Sequence, residues 1–292
     1  DPDHNQQLSY FISAGNVDDA FVIDPLSGVI SVNNPLILDY ETNPSFLLNV
    51  NVLDNGVPSL GNQAFVAIQV NDQNESPVIL DNYFEITENP LSGQIVGRVR
   101  ALDPDSGQIL RYYIVEGNAN NAFAIGAYSG ILTVNNATMF DYESNSLFNL
   151  VIRVEDNGSV NMGSESPVTV AVMNQNEAPY LPDMTFDVSE NAVYGTVIGI
   201  LHASDPDSAQ VVTYSIAGGD DDSTFSLDPV SGVLSVNNPA LLSYSVKPVY
   251  TLFVIARDNG TIPLSASCYT RINVLQEFAG RIIYIDPENI AD

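Results

Sequence analysis

The chain has 292 residues, room for two or three domains of ordinary size, and its 45% hydrophobic content gives each a core to bury. Thirty-six Asp and Glu against 8 Lys and Arg leave a net charge of -28, which argues against nucleic acid and anionic membrane surfaces as partners, because both need basic patches. One cysteine (Cys268) and no tryptophan exclude a disulfide framework and an immunoglobulin domain of the Cys–Trp–Cys type. No apolar run approaches the ~20 residues of a membrane span and no signal peptide is present, so the chain reads as an internal piece of something longer.

In chain order, turns alternate with short strand-like runs. Asp-Pro-Asp (1–3) leads into a run through Tyr10. SGVISVNN follows at 27–34, LDYE at 38–41, LDNG at 53–56, the alternating run FVAIQV at 65–70 and DQNESP at 72–77. The same order then returns with a period of 102 residues. Tyr112 and Tyr214 follow Tyr10, SGILTVNN (129–136) and SGVLSVNN (231–238) follow the first such stretch, and EDNG (155–158) and RDNG (257–260) follow LDNG. FDYE (140–143) and LSYS (242–245) answer LDYE, SENAVYG (189–195) answers TENPLSG (87–93), and NQNEAP (174–179) answers the first linker. An unbroken period means three copies of one domain. The expected boundaries are 1–75, lacking the strand that carries Thr-Glu-Asn in the second copy, then 76–177 and 178–280. Residues 281–292 are expected to be a linker or the start of a further module, since PEN at 287–289 echoes TEN.

Each copy reads as all-β. VTVAVM (168–173) alternates apolar and polar residues, and FNLVIRVED (148–156) sets Phe148, Leu150, Ile152 and Val154 on one face. Asn-Gly, Ser-Gly and proline turns punctuate these runs roughly every ten residues, and no stretch has helical periodicity. About seven short strands per copy predict tandem Greek-key β-sandwiches of immunoglobulin-like architecture, joined end to end as a rod. Tyr10, Tyr112 and Tyr214 are expected in the cores. Cys268, in step with Thr270, Ile272 and Val274, is expected to be a small buried thiol.

The acids gather at strand ends and turns in five motifs. These are Glu88-Asn89 and Glu190-Asn191; the Asp-Pro-Asp pairs Asp1/Asp3, Asp103/Asp105 and Asp205/Asp207; the pairs Asp39/Glu41 and Asp141/Glu143; Asp54, Asp156 and Asp258 before Asn-Gly; and the linkers 72–77 and 174–179. Singly, each has an ordinary structural reading: proline fixes φ in Asp-Pro-Asp, and Asp-Asn-Gly makes a hairpin turn. Together they recur in fixed order with no lysine or arginine in any. The junction of the first two copies could gather Asp39, Glu41, Asp72, Glu75, Asp103, Asp105 and Asp156. Two unpaired carboxylates ~4 Å apart repel by ~4 kcal/mol at an effective dielectric of ~20, so such a cluster needs a counter-charge. Carboxylates and amide carbonyls without His or Cys suit a hard cation of flexible coordination, calcium better than magnesium. An EF-hand loop does not fit: with Asp103 as the first position, Gly107, Gln108 and Ile114 occupy the fifth, sixth and twelfth, and no helix flanks it.

These residues, in this order, resemble the extracellular cadherin repeat, whose pattern runs X-E-N, D-x-D, L-D-R-E, A-x-D-x-G and a D-x-N-D-N-x-P linker. The resemblance covers essentially the whole chain. It implies several calcium ions at each inter-repeat joint. The first joint would use Asp39, Glu41, the Gln73 carbonyl, Asn74, Glu75, Asp103, Asp105 and Asp156, with Asp72 opening the linker. The second would use Glu88, Asp141, Glu143, the Gln175 carbonyl, Asn176, Glu177, Asp205, Asp207 and Asp258. Asp1, Asp3 and Asp54 would face a preceding repeat. The chain departs from the pattern in carrying Glu75 and Glu177 where the family has Asp, in linkers one residue short before the proline, and in Asn174 for the first linker Asp. The asparagine after D-x-D-S-G is absent. Ser243 and Ser245 replace the acids of the third copy and 276–281 read QEFAGR, so Glu190 is expected without partners and no full calcium cluster is expected beyond the third repeat.

The function implied is a calcium-rigidified extracellular segment at the cell surface, part of a membrane-anchored parent protein. Its partners would be other protein chains, through homophilic or heterophilic adhesion or filament assembly, with no membrane insertion of its own. A stalk or spacer of a bacterial or protist surface filament, or of a multidomain enzyme, is the alternative. Catalysis is not expected: the chain has no Gly-x-Ser-x-Gly or His-Glu-x-x-His and only His4 and His202. Asn136, Asn157 and Asn259 stand in Asn-x-Ser/Thr sequons and are candidate glycosylation sites. Asn74 also fits, but Pro77 follows it.

Overall fold

A computed structural model describes residues 6–276. Asp1, Asp3, His4 and residues 281–292, with the PEN stretch, lie outside the described residues. The chain divides into two compact units, one of Asp1–Phe140 with Asn145–Val172, the other of Asp141–Ser144 with Met173–Asp292.

The first unit holds the first two copies. The first copy contributes β1 (Leu8–Ala14), β2 (Phe21–Ile23), β3 (Ile30–Val32), β4 (Ser45–Asp54) and β5 (Gly61–Gln69). β4 pairs antiparallel with both β1 and β5, and β2 pairs with β3. The second copy contributes β6 (Val78–Ile79), β7 (Tyr83–Thr87), β8 (Ile95–Arg98), β9 (Ala101–Leu102), β10 (Arg111–Glu116), β11 (Phe123–Ile125), β12 (Ile131–Val134), β13 (Leu147–Glu155) and β14 (Gly163–Met173). One sheet runs β10-β13-β14-β7 and the other β11-β12-β8, with β6 and β9 forming a short extra pair. The chain thus crosses between sheets from β7 to β8, from β10 to β11 and from β12 to β13, while β11/β12 and β13/β14 pair as hairpins, the Greek-key arrangement of a sandwich. Only short 3₁₀ turns interrupt the β structure. One of them, Pro35–Ile37, delivers the chain to Asp39.

The period of two in β13 sets this packing. Phe148, Leu150, Ile152 and Val154 all face inward and are fully buried. Phe123, Phe140 and Phe148 meet with ring centroids 5.0–5.1 Å apart, and the two contacts of Phe123 are edge-on. Full burial of each such side chain contributes about 1.5–3 kcal/mol. Among its described residues the first copy has five strands rather than seven, without counterparts of β7 and β8. Among them only Ala20, Phe21, Phe46 and Leu48 form a buried cluster, while Val66 and Ile68 on β5 remain half-buried.

The second unit holds β15 (Met184–Ser189), β16 (Val197–Ile200), β17 (Thr213–Gly218), β18 (Phe225–Leu227), β19 (Val233–Val236), β20 (Val249–Arg257) and β21 (Ser265–Leu275). Its sheets run β15-β21-β20-β17 and β16-β19-β18, with β15 parallel to β21. Cys268, Thr270, Ile272 and Val274 are all buried, as their spacing requires. Burial pushes the Cys268 thiol up, and the Thr270 hydroxyl 3.5 Å away partly offsets this.

Tyr112 is buried, while Tyr10 and Tyr214 are half-buried. A glycine lies against each ring: Gly28, Gly130 and Gly232 take φ of 65–70°, and an added Cβ would stand 3.1–3.3 Å from Tyr10, Tyr112 or Tyr214. This turn therefore needs glycine twice over, for its left-handed backbone and for the ring beside it.

Candidate metal centre

The Asp-Pro-Asp turn is built around its own side chains. The Asp105 N–H donates to Asp103 Oδ1 at 3.0 Å, which aims the Asp105 carboxylate back along the chain. There the backbone N–H of Glu75, in the linker, donates to Asp105 Oδ2 at 3.0 Å. The turn after β13 is closed in the same way: Asp156 accepts from the N–H groups of Gly158 and Met162 at 3.0 Å. Asp54 repeats this pattern with Gly56 and Leu60, and Asp258 with Gly260 and Leu264.

These turns converge in the first unit. Glu41, Asp72, Glu75 and Asp105 each present a carboxylate oxygen, and the four oxygens lie within 4.8 Å of one another. Among the described residues no ion pair reaches any of the four. Desolvation first, then the negative charges of Glu41, Asp105, Asp72 and Asp39, hold the Glu75 carboxyl above its ordinary range. Its own N–H lowers Glu41, but desolvation, the hydrogen bond to Asp39 and the charges of Asp72 and Asp39 outweigh that and raise it. Burial raises Asp103, whose Oδ2 is enclosed without a hydrogen-bond partner. Burial also pushes Asp156 up, but the Met162 and Gly158 N–H groups and the Asn74 amide prevail and hold it low. A buried orphaned oxygen beside four mutually repelling carboxylates is a donor set suited to a hard cation.

Other expected residues are placed differently. Asp39 is exposed and turned onto its own loop, accepting from the Glu41 N–H at 3.0 Å and the Thr42 hydroxyl at 3.0 Å. Gln73 is exposed in the linker. Asn74 lies beside Asp156 with its NH2 group foremost, donating to Asp156 Oδ2 at 3.0 Å. A ligand role for its carbonyl oxygen therefore needs a half-turn of the amide. Glu88, in the same unit, is buried.

The second unit repeats the turn chemistry. Asp205 Oδ1 caps the Asp207 N–H at 3.0 Å, and the Glu177 N–H donates to Asp207 Oδ2 at 3.0 Å. Asp205 Oδ2 is again enclosed without a partner, and burial again raises the carboxyl. Asn174, which replaces the first linker acid, donates to both Asp207 Oδ1 (2.8 Å) and Glu143 Oε1 (3.2 Å), so a neutral amide bridges two acids. Asp141 accepts from the backbone and hydroxyl of Ser144 at 3.1 and 2.9 Å. Asn176 donates to Asp258 Oδ2 at 3.2 Å, and Gln175 is exposed beside it. Glu190, expected to lack partner acids because Ser243 and Ser245 replace them, accepts from the Tyr244 N–H at 3.1 Å, and the two serine hydroxyls lie 3.1 Å apart.

Two residues that the motifs did not single out complete this geometry. Gln108 and Gln210 donate to the side-chain oxygens of Asn74 and Asn176, and the glycines of the Asp-Asn-Gly turns, Gly158 and Gly260, lie beneath those amides. The signal was present in the sequence, since Gln6, Gln108 and Gln210 recur at the 102-residue period.

The cadherin-domain family model matches residues 1–71, 82–173 and 184–275. The chain belongs to the cadherin family. Human protocadherin-23 is 32% identical over 287 residues, covering 94% of this chain and 8% of its own length. Mouse cadherin-23 is 32% identical over 288 residues, covering 93% and 8%. This cadherin chain thus spans a small part of such relatives. Among solved structures, mouse cadherin-23 EC22-24 superposes with a TM-score of 0.65 at 26% identity, over 95% of this chain and 89% of that one. The protocadherin gammaB7 EC3-6 cis-dimer structure gives 0.66 at 25%, over 91% and 67%. Its cadherin repeats are all-β sandwiches in tandem, and among the described residues no helix is long and apolar enough to cross a membrane.

Proposed function

We propose that this chain is a calcium-binding extracellular segment of a cell-surface adhesion or structural protein, and that calcium stiffens its inter-repeat joints. The observation that carries this reading is the group of four carboxylate oxygens from Glu41, Asp72, Glu75 and Asp105, which lie within 4.8 Å of one another. Asp103 and Asp156 stand beside them, and Asp39, the Gln73 carbonyl and Asn74 complete the proposed set. Calcium supplies the positive charge that lets these acids lie together. The chain's own residues fix the loops: Asp103 shapes the turn and Asp105 holds the linker backbone. The second set is proposed one period later as Glu88, Asp141, Glu143, Gln175, Asn176, Glu177, Asp205, Asp207 and Asp258. Asp1, Asp3 and Asp54 are assigned to a joint with a preceding repeat.

Repeat boundaries at 1–75, 76–177 and 178–280, with 281–292 as a linker or further module, belong to the same reading. So do protein partners that bind by adhesion or assembly, glycans on Asn136, Asn157 and Asn259, and the absence of catalysis in this segment. Extracellular calcium modules bind at ~10⁻⁴–10⁻³ M, so occupancy would follow the surrounding medium. Calorimetric titration, thermal melting and small-angle scattering in calcium and in chelator test the proposal. Heat of binding, a higher melting temperature and a narrower range of lengths in calcium are expected. Identical melting and scattering in both would overturn it.

A further inference from the structure

The linker asparagine is held by more than its charged neighbours. Asn74 donates through Nδ2 to Asp156 Oδ2 at 3.0 Å and to the Val160 carbonyl at 3.1 Å, while its Oδ1 accepts from Gln108 Nε2 at 2.6 Å. A carboxylate and a carbonyl can only accept, so the amide must turn its NH2 toward them and its oxygen toward Gln108. The amide lies over Gly158, where a methyl group would overlap it outright. One period later Asn176 makes the same three bonds, to Asp258 (3.2 Å), the Ile262 carbonyl (3.2 Å) and Gln210, over Gly260. The sequence separations of 34, 82 and 86 residues are identical in the two sets.

We propose that Gln108 and Gln210 are positioning residues that latch each linker onto the repeat that follows it when no metal is bound. The latch fixes the linker backbone where Glu75 and Glu177 donate to Asp105 and Asp207. The lower half of each joint is therefore ordered before a cation arrives, and a cation that takes the Asn74 oxygen as a ligand turns the amide and exchanges this contact for its own. The proposal extends to the residue that does the holding: an amide on this side chain is required, since it must donate to an oxygen in a nearly enclosed place.

The test is hydrogen–deuterium exchange of the full chain in chelator, read on the peptides spanning 72–76 and 174–178, for the unaltered protein, Gln108→Ala, Gln108→Met and Glu41→Gln. Loss of one buried hydrogen bond should speed exchange of the first linker about five- to tenfold in both Gln108 variants and leave the second linker unchanged. Gln108→Met keeps the volume and removes the donor, so protection retained in that variant would reduce Gln108 to packing and overturn the proposal. Unchanged exchange in Gln108→Ala would overturn it as well. Glu41→Gln should leave exchange in chelator unaltered while weakening calcium uptake, and equal loss of protection there would also overturn the latch. A side-chain NH2 resonance of Gln108 that shifts on Asn74→Ala in chelator is the matching spectroscopic expectation. Because every exchange measurement is made in chelator and calcium uptake is read separately, failure of the latch and failure of the calcium reading are separate results.

Discussion

Gly158 and Gly260 have backbone angles that any residue could adopt, and the amides of Asn74 and Asn176 are what exclude a side chain. Gly158→Ala should therefore cost about 1–3 kcal/mol by overpacking. Most of that cost should vanish in an Asn74→Ala background, because the two changes share one contact. Thermal melts of the four proteins of this cycle check it, and an unchanged penalty in the Asn74→Ala background would refute it. The Asp-Asn-Gly turn itself was legible from sequence as a hairpin signal. The reason for its glycine was not, because the asparagine that fills the space is 84 positions away in the chain, from 74 to 158. Burial, with neighbouring negative charges added, raises the carboxyls of Glu75 and Asp103, whereas at Asp156 burial is outweighed by the Met162 and Gly158 N–H groups and the Asn74 amide.

At the scale of elements, alternation along β13 decided which residues face inward. Leu150 sits at the centre of that strand with no exposed surface. Leu150→Ala should lower stability by about 2–5 kcal/mol through the cavity it leaves, measured by denaturant unfolding. A loss below 1 kcal/mol would mean that the sheets close over the gap. The loops around β9 carry the other measurable feature. Arg100 donates to Asp81 in a two-nitrogen contact at 2.7–2.9 Å, and its own N–H adds a third bond at 2.7 Å. The side-chain hydrogen bonds from Arg100 hold the Asp81 carboxyl below its ordinary value, against a smaller opposing effect of desolvation. A group whose folded pKa is depressed stabilises fully above its unfolded pKa and loses that contribution as pH falls through the folded value. The protein should thus shed a small increment, under ~1 kcal/mol because Arg100 is largely exposed, as pH drops below ~4. In Asp81→Asn that increment should be missing at pH 7, so the gap between the two proteins closes in acid. A gap that stays constant from pH 7 to pH 3 would show that the ion pair contributes nothing.

Across the whole molecule the dominant quantity is charge. A net -28 with only 8 basic residues means that folding draws acids together in several places at once. Without a divalent cation, raising monovalent salt should stabilise the chain by screening this repulsion. In calcium the salt effect should shrink, because the clustered acids are already neutralised. Binding to the folded state alone adds about 2.7 kcal/mol at a hundredfold excess over the dissociation constant. Melting temperature measured over a grid of salt and calcium concentrations checks both expectations. Parallel salt dependence with and without calcium would count against cation binding at these acids.

The sequence by itself determined the repeat number, the all-β class, the inward face of the strands and the identity of the acidic motifs. Each of these is a local or periodic property: alternation of two along a strand, turn residues at fixed offsets, and a spacing of 102 that survives intact. Which acids meet was left to the tertiary structure. Glu41, Asp72, Glu75 and Asp105 come from three separate loops, and only packing brings their oxygens within 4.8 Å. Asp39, two residues before Glu41, accepts from the Glu41 N–H and the Thr42 hydroxyl of its own loop, while its charge still bears on Glu41 and Glu75. Tertiary structure also gave Glu190 a partner in the Tyr244 N–H and gave Gln108 its role beside Asn74. The recurrence of Gln6, Gln108 and Gln210 marks a position without naming its partner, so hydrogen bonds between side chains far apart in sequence become visible only when the strands are in register and the loops are closed.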